Sequence, residues 1–243
     1  MRYQGGKSKV AKPISEVIMN TAVRERERVF VSLFCGSCAV ETKIVGFKKI
    51  ILNDKHKYLI ALYKGLQNGY VLPDDISEQE YKYVREHQDE DAVLSGFVGF
   101  GSSFGGKWFG GYGRSKNRSH AAESKRALMR DIQILKSAEF ICNDYRQVQL
   151  PDKCVIYADP PYNNTTGYNN EKFNSDEFWE YARETSKNHL IFISEQTAPD
   201  DFITIWEKPL TRTLDVNKNN QFKATEKLFI HNSYKQLAET IGR

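Results

Sequence analysis

The run Val155-Ile156-Tyr157-Ala158-Asp159-Pro160-Pro161-Tyr162 places a carboxylate, two prolines and an aromatic ring directly after four apolar or aromatic residues. The apolar part reads as a short buried strand. The prolines fix φ and remove two backbone donors, so the chain after Ala158 cannot extend a sheet. The result is a stiff platform at the carboxyl end of a strand, where open α/β sheets hold their ligands. It offers a carboxylate, carbonyls with no competing N–H and an aromatic face, which suit a flat base bearing an exocyclic amino group. An ordinary surface turn is the competing reading, because Asp-Pro-Pro is also good turn chemistry.

A second set of candidates lies earlier. Phe34-Cys35-Gly36 follows an apolar run, and a glycine there lets backbone approach a nucleoside closely. Asp54 stands 18 residues beyond Gly36, at the end of the next apolar run, where a doubly wound fold puts a carboxylate on ribose hydroxyls. A tight turn and a helix N-cap are the plain alternatives for these two positions. Cys35-x-x-Cys38 with Cys142 and Cys154 could make a zinc site, but only one CxxC is present, and reduced, partly buried thiols are the default. The five histidines are scattered and suggest neither a metal set nor an acid–base pair. Asp200-Asp201 after Pro199 reads as turn and capping chemistry, and Glu195 ends a strand near the expected site.

The elements that must position these groups alternate. Residues 12–27 have helical character. Val29–Phe34 reads as a strand, a helix is expected from Ala39, Lys49–Leu52 as a second strand, and a helix through about Leu66. Strand-like segments resume at Glu139–Cys142, Cys154–Ala158 and Leu190–Ile193, with a helix over Asp176–Lys187 capped by Asn174 or Ser175. Ile203–Leu214 and Glu226–Ile230 flank a polar loop and suggest a late antiparallel hairpin. The fold class is therefore α/β, a doubly wound sheet with an inserted segment. The boundaries are 1–62 and 137–243 for the main domain and 63–136 for the insertion.

At 243 residues and 40% hydrophobic, the chain can bury a full core and is not a disordered one. No apolar run approaches the ~20 residues of a membrane span, and the amino terminus lacks an apolar signal core, so an intracellular protein is expected. The net charge of +4 is modest, but its distribution is uneven. Residues 72–91 carry eight acids against Lys82 and Arg85, whereas residues 99–130 carry seven bases against Glu123. Between Gly99 and Gly113, seven glycines are interleaved with Phe100, Phe104, Trp108, Phe109 and Tyr112. Glycines allow close approach to a phosphate backbone, bases such as Lys107, Arg114, Lys116 and Arg118 contact phosphates, and aromatics wedge or stack. A small satellite core beside a solvated charged helix is the alternative.

Taken in order, these motifs resemble the S-adenosylmethionine-dependent adenine-N6 DNA methyltransferases, in particular the Dam-like branch and its phage-type members. Tyr3-Gln4-Gly5-Gly6-Lys7 is similar to the amino-terminal motif that lines the cofactor's methionine part. Ser32 to Cys38 resembles motif I, and Leu52-Asn53-Asp54 the ribose-binding strand end. Asn143-Asp144-Tyr145 resembles the motif flanking the cofactor's adenine, and Asp159 to Tyr162 the catalytic motif. Gly167-Tyr168 and Phe173 resemble the loop over the active site, and Glu226–Ile230 the last strand. Motif I usually has a second glycine where this chain has Cys38, and often an acid where it has Ser32.

The resemblance implies a Rossmann-like methyltransferase sheet, with S-adenosylmethionine bound by Tyr3, Gly6, Lys7, Phe34, Gly36, Asp54, Asp144, Tyr145 and Asp159. It implies catalysis by Asp159, Pro160 and Tyr162 on an adenine flipped out of double-stranded DNA. Lys107, Arg114, Lys116, Arg118 and Tyr168 would contact DNA. A solitary enzyme of a bacterial or phage-infected cell, with no metal, fits this pattern. RNA adenine, a protein glutamine amide and a non-catalytic nucleic-acid-binding module remain the competing assignments.

Overall fold

A computed structural model of the chain describes residues 1–25, 28–115, 118–161, 173–213 and 221–241. In chain order the helices are α1 (Ala11–Glu25), α2 (Lys57–Gln67), α3 (Glu78–Glu86), α4 (Ala92–Gly96), α5 (His120–Ile134), α6 (Ser175–Ser186) and α7 (Lys235–Ile241). The strands are β1 (Val29–Ser32), β2 (Lys49–Asn53), β3 (Glu139–Ile141), β4 (Val155–Ala158), β5 (Leu190–Glu195), β6 (Phe202–Thr213) and β7 (Gln221–His231). They form one sheet of order β3-β2-β1-β4-β5-β7-β6. The pairs β2–β3, β1–β4 and β4–β5 are parallel, and β7 runs antiparallel to both β5 and β6. This is the α/β sheet with the late antiparallel hairpin expected from the strand pattern.

The chain divides into two compact units. The first comprises Met1–Ser8, Cys35–Lys43 and Ile50–Val148; the second comprises Lys9–Phe34, Ile44–Lys49 and Gln149–Arg243. In the second unit, β4 and β5 are buried along their full length, which is why both read as near-continuous apolar runs. The buried Tyr157 and Ser194 hydroxyls, 2.9 Å apart, satisfy each other between these strands. On α1, Ile14, Ile18 and Ala22 repeat at the helical spacing and are all buried. Asn174 caps α6, its Oδ1 accepting from the Glu177 N–H. Asp201 accepts from the Arg183 guanidinium, so it is a structural ion-pair partner and not half of a catalytic dyad.

In the first unit, α2 presents its buried face through Leu59, Ile60, Leu62, Tyr63 and Leu66. Gly96 lets α4 sit directly on α2, since a Cβ there would lie 2.2 Å from the Tyr58 carbonyl oxygen. Ser77 and Glu80 cap α3 reciprocally. A π-helical turn, Phe97–Gly101, continues from α4. Two expectations differ. The helix from Ala39 is a single 3-10 turn, Glu41–Lys43, because Cys38 (φ 55°) precedes it and Gly46 (φ 87°) turns the chain soon after. The segment before residue 136 contains a full helix, α5, that the sequence pattern did not show.

Candidate active site

In the first unit the glycine loop after β1 is tied down group by group. The Cys35 N–H donates to the Asn53 carbonyl at 2.8 Å, and the Gly36 N–H donates to Asp54 Oδ2 at 2.9 Å. The Tyr63 hydroxyl donates to the Gly36 carbonyl at 2.8 Å. Gly36 has φ 46°, and a Cβ on it would stand 3.1 Å from Tyr3 Cε1. The amino-terminal Tyr3 ring therefore lies against the loop, where only glycine fits. Gly6 is equally confined: a Cβ there would meet the Tyr3 carbonyl at 3.1 Å and Ser37 Oγ at 3.2 Å. The neighbouring Lys7 is buried.

Asp54 does not cap α2; His56 does, its ring nitrogen accepting from the Leu59 N–H. Asp54 Oδ1 instead accepts from the His56 N–H at 2.9 Å. Burial pushes the Asp54 carboxyl above its usual range, and the His56 and Gly36 N–H groups oppose that rise. Each oxygen takes one backbone hydrogen bond and retains acceptor capacity, which suits a pair of hydroxyls. His56 packs edge-on to Trp108 and Phe100, and burial lowers its ring to about 4.

The end of β3 joins the end of β2 through a reciprocal pair. The Asn53 side-chain amide donates to the Asn143 carbonyl, and the Asn143 N–H donates to Asn53 Oδ1, both at 3.0 Å. Asp144 caps the short turn Tyr145–Gln147 and is gripped by the Arg146 guanidinium, at 2.7 and 3.0 Å. That contact holds its carboxyl below the usual range. Tyr145 is buried, with the Arg146 guanidinium 5.6 Å from its ring centre.

In the second unit, β1 and β4 are parallel neighbours with Ser32 opposite Tyr157, and the Leu33 N–H donates to the Tyr157 carbonyl. Phe34 and Asp159 each lie two residues beyond that pair, at the carboxyl ends of adjacent strands. Adjacent carboxyl ends of parallel strands are where open α/β sheets hold their ligands. Asp159 is half-buried and Pro160 buried. Phe34 meets Phe173 and Phe178 edge-on, both with ring centres 5.9 Å away. Tyr162, Gly167 and Tyr168 lie outside the described residues, as does Lys116.

The basic and acidic stretches of the first unit are partly paired with each other. Arg114 makes a bidentate bridge to Glu78 at 2.6–3.0 Å, Lys125 meets Asp74 at 2.7 Å, and Arg118 lies 3.8 Å from Glu123. Lys107 is exposed. Trp108 is packed, stacked on Tyr58 and seated over Gly99, where a Cβ would be 2.3 Å from its ring. The described residues contain no cluster of three or more potential metal-ligating side chains, and none of the four cysteines forms a disulfide.

The sequence matches the D12 class N6 adenine-specific DNA methyltransferase family over residues 3–97 and 101–198. The chain belongs to this family. No curated protein matches it. Among solved structures it is similar to a Pyrococcus horikoshii protein described as a "putative RNA methyltransferase", at 9% identity and TM-score 0.42, covering 89% of this chain and 81% of that one. It is also similar to a conserved hypothetical protein of Streptococcus pyogenes, at 8% identity and TM-score 0.34, covering 84% and 86%.

For a D12 methyltransferase, the motif I departure at Cys38 has a visible consequence. The residue adopts the left-handed conformation, φ 55°, at the place of the missing glycine. A non-glycine residue pays about 1–2 kcal/mol there. Its N–H still closes the turn onto the Cys35 carbonyl at 2.7 Å, and its side chain is fully buried. Ser32, the second departure, is buried within β1. Three supports of this constellation were given no role from the sequence: Asn53, quoted only within the strand-end motif, Tyr63 and Arg146. The Asn-Asp pairs ending two successive strands were a usable signal for the first; Tyr63 and Arg146 had none beyond helix and turn position.

Proposed function

We propose that this chain transfers the methyl group of S-adenosylmethionine to the N6 amine of an adenine flipped out of double-stranded DNA at a specific short sequence. The observation that carries the proposal is the Asp159-Pro160-Pro161 platform, set at the carboxyl end of β4 beside the Phe34 end of β1. The Asp159 carboxylate and the Pro160 carbonyl each accept a hydrogen bond from the exocyclic amine. This draws the nitrogen out of conjugation and aims its lone pair at the methyl group. Tyr162 stacks on the flipped ring. Transfer would be a direct in-line displacement, the N–CH3 bond forming as the sulfonium S–CH3 bond breaks and S-adenosylhomocysteine leaves, with the cationic nitrogen losing its proton afterwards and no prior deprotonation by a strong base.

The residues of the first unit fit the cofactor. Asp54 has acceptor capacity left for ribose hydroxyls, Gly36 offers backbone with no side chain in the way, and Tyr3, Gly6 and Lys7 form a wall beside it. Asp144 and Tyr145 would flank the adenine. S-adenosylmethionine supplies an electrophilic methyl group on a sulfonium. The segment 63–136 is assigned to target recognition, with Lys107, Arg114, Lys116, Arg118 and Tyr168 on the DNA.

The test is expression in a bacterium lacking adenine methylation, beside Asp159→Ala, with modified adenines mapped by long-read sequencing. Methylation at one short motif, lost in the mutant, is expected. A soluble wild-type protein that leaves DNA unmodified but methylates RNA would overturn the substrate assignment.

A further inference from the structure

We propose that a cavity at the amino terminus of α5 is a dedicated seat for a single backbone phosphate of the bound DNA. The inference rests on the DNA-methylating reading above and deepens it. The cavity has a volume of about 360 Å³ and lies wholly within the first unit. Ser119, His120 and Ala121, the cap and first residues of a 15-residue helix, form one wall. Backbone N–H groups at such a terminus are unpartnered within the helix, and the helix dipole favours an anion there. Arg114 and Arg118 line the opening.

A helix terminus alone makes no site, and a second feature points to a ligand. Ser102 lines the same cavity, is 1% exposed, and its Oγ has no hydrogen-bond partner. A buried hydroxyl left unsatisfied is costly, and native proteins keep few of them. An acceptor-rich phosphate entering the cavity would satisfy it. The lining itself carries Arg114 and Arg118 against Asp75, and Glu78 and Glu123 outside it pair with the two arginines, so a phosphate must be held by the side chain least committed to its carboxylate. Asp75 already accepts from the Ser119 hydroxyl at 2.7 Å, and the Arg114 guanidinium is occupied by Glu78. Arg118, held only by a 3.8 Å contact with Glu123, is the side chain positioned to bind the phosphate. The cavity exceeds a phosphate group, leaving room for a flanking sugar.

The test measures DNA affinity against salt for the full chain, Arg118→Ala and Ser102→Ala, and then scans single methylphosphonate substitutions along the duplex. Arg118→Ala should reduce the slope of log K against log salt by about one. One methylphosphonate position should weaken wild-type binding by about tenfold and Arg118→Ala hardly at all. Ser102→Ala should lose three- to tenfold in DNA affinity while the free protein's melting temperature holds or rises, a split that a purely structural serine would not give. An unchanged slope together with no coupled position overturns the proposal, whether or not the enzyme methylates DNA. Methylation in the cell is scored separately, so failure of the parent reading is recognisable on its own. Titration with inorganic phosphate is the remaining arm. Chemical-shift changes at Ser102 and His120, lost in Arg118→Ala but without any coupled DNA position, would make the seat one for free phosphate and would equally overturn the assignment to DNA.

Discussion

Gly36→Ala tests how the glycine loop after β1 is built. The residue has φ 46°, and a Cβ would approach Tyr3 Cε1 to 3.1 Å and Cζ to 3.5 Å. The left-handed backbone alone costs a non-glycine residue about 1–2 kcal/mol. The contact adds to this, because Tyr3 must give by a few tenths of an ångström while its ring is also packed on Phe100, ring centres 5.1 Å apart. Both polar groups of Gly36 are engaged, by Asp54 and Tyr63, so the peptide cannot rotate to escape. The sum is roughly 1–3 kcal/mol. If the loop stays intact, that appears as a fall of roughly 2–12 °C in melting temperature for a chain of this size. If the loop gives way locally, it appears as a loss of roughly 5- to 150-fold in S-adenosylmethionine affinity. Calorimetric titration with the cofactor and a thermal melt together capture either route. Cys38→Gly in the same loop is the control. It relieves a similar backbone strain at φ 55°, but loses a fully buried thiol and adds unfolded-state entropy, so it should change stability little. A Gly36→Ala protein with unchanged melting temperature and cofactor affinity would refute the reasoning.

Asp159→Ala should abolish methyl transfer and leave S-adenosylmethionine affinity within about threefold, a loss well below 1 kcal/mol; activity surviving in this variant, measured by methyl incorporation into DNA, would remove the carboxylate from catalysis. Asn53→Ala should destabilise by roughly 2–4 kcal/mol in denaturant unfolding, because it strips the partners from both the Asn143 N–H and carbonyl beside a fully buried side chain. His56 gives a pH signature. Its ring is held at about 4 against 6.5 unfolded, so the unfolded state binds the extra proton between those values. The contribution is fully present above pH 6.5 and is lost on acidification towards 4, by at most about 3 kcal/mol. His56→Asn keeps an N-cap and should flatten that dependence; equal pH slopes in the two proteins would count against it.

The strands were legible because each is either a continuous apolar run, as in β4 and β5, or part of a hairpin flanking a polar loop. Asp159 and Pro160 were legible for a related reason: prolines after a buried strand force a stop, and the strand's neighbours fix what the stop faces. The helix expected from Ala39 failed on a backbone property that residue type conceals, the left-handed Cys38. Helix α5 was hard to read because its buried stripe is Ala121, Ser124, Leu128 and Ile132, of which Ser124 is polar and Ala121 small, set among many charged residues. Its cap, Ser119, was a readable signal left unused. The partial neutralisation of the basic stretch was beyond linear reading. Arg114 meets Glu78 across 36 residues, and a charge count along the chain cannot show which charges meet. Trp108 was open between DNA contact and packing, and Gly99 decides for packing by making room for its ring.

Asp54 and Asp144 show how the structure separates two carboxylates that the sequence treats alike. Asp144 is gripped by the Arg146 guanidinium, which supplies a full opposite charge and holds its carboxyl low. Asp54 receives two neutral N–H donors, from Gly36 and His56, and these do not offset its burial, so its carboxyl stays above the usual range. A carboxylate in that condition gains from further donors, and ribose hydroxyls are donors of the right kind. Cofactor binding should then favour the ionised form and release any proton that Asp54 carries. The sign follows: S-adenosylmethionine affinity should fall as the pH drops through the raised Asp54 range, and Asp54→Asn, weaker throughout, should lose that dependence. Titration calorimetry in buffers of different ionisation enthalpy would read the proton release directly. A pH-independent affinity in the wild type would mean that the two backbone donors are all the partners Asp54 has, and that its role is only to hold Gly36 in place.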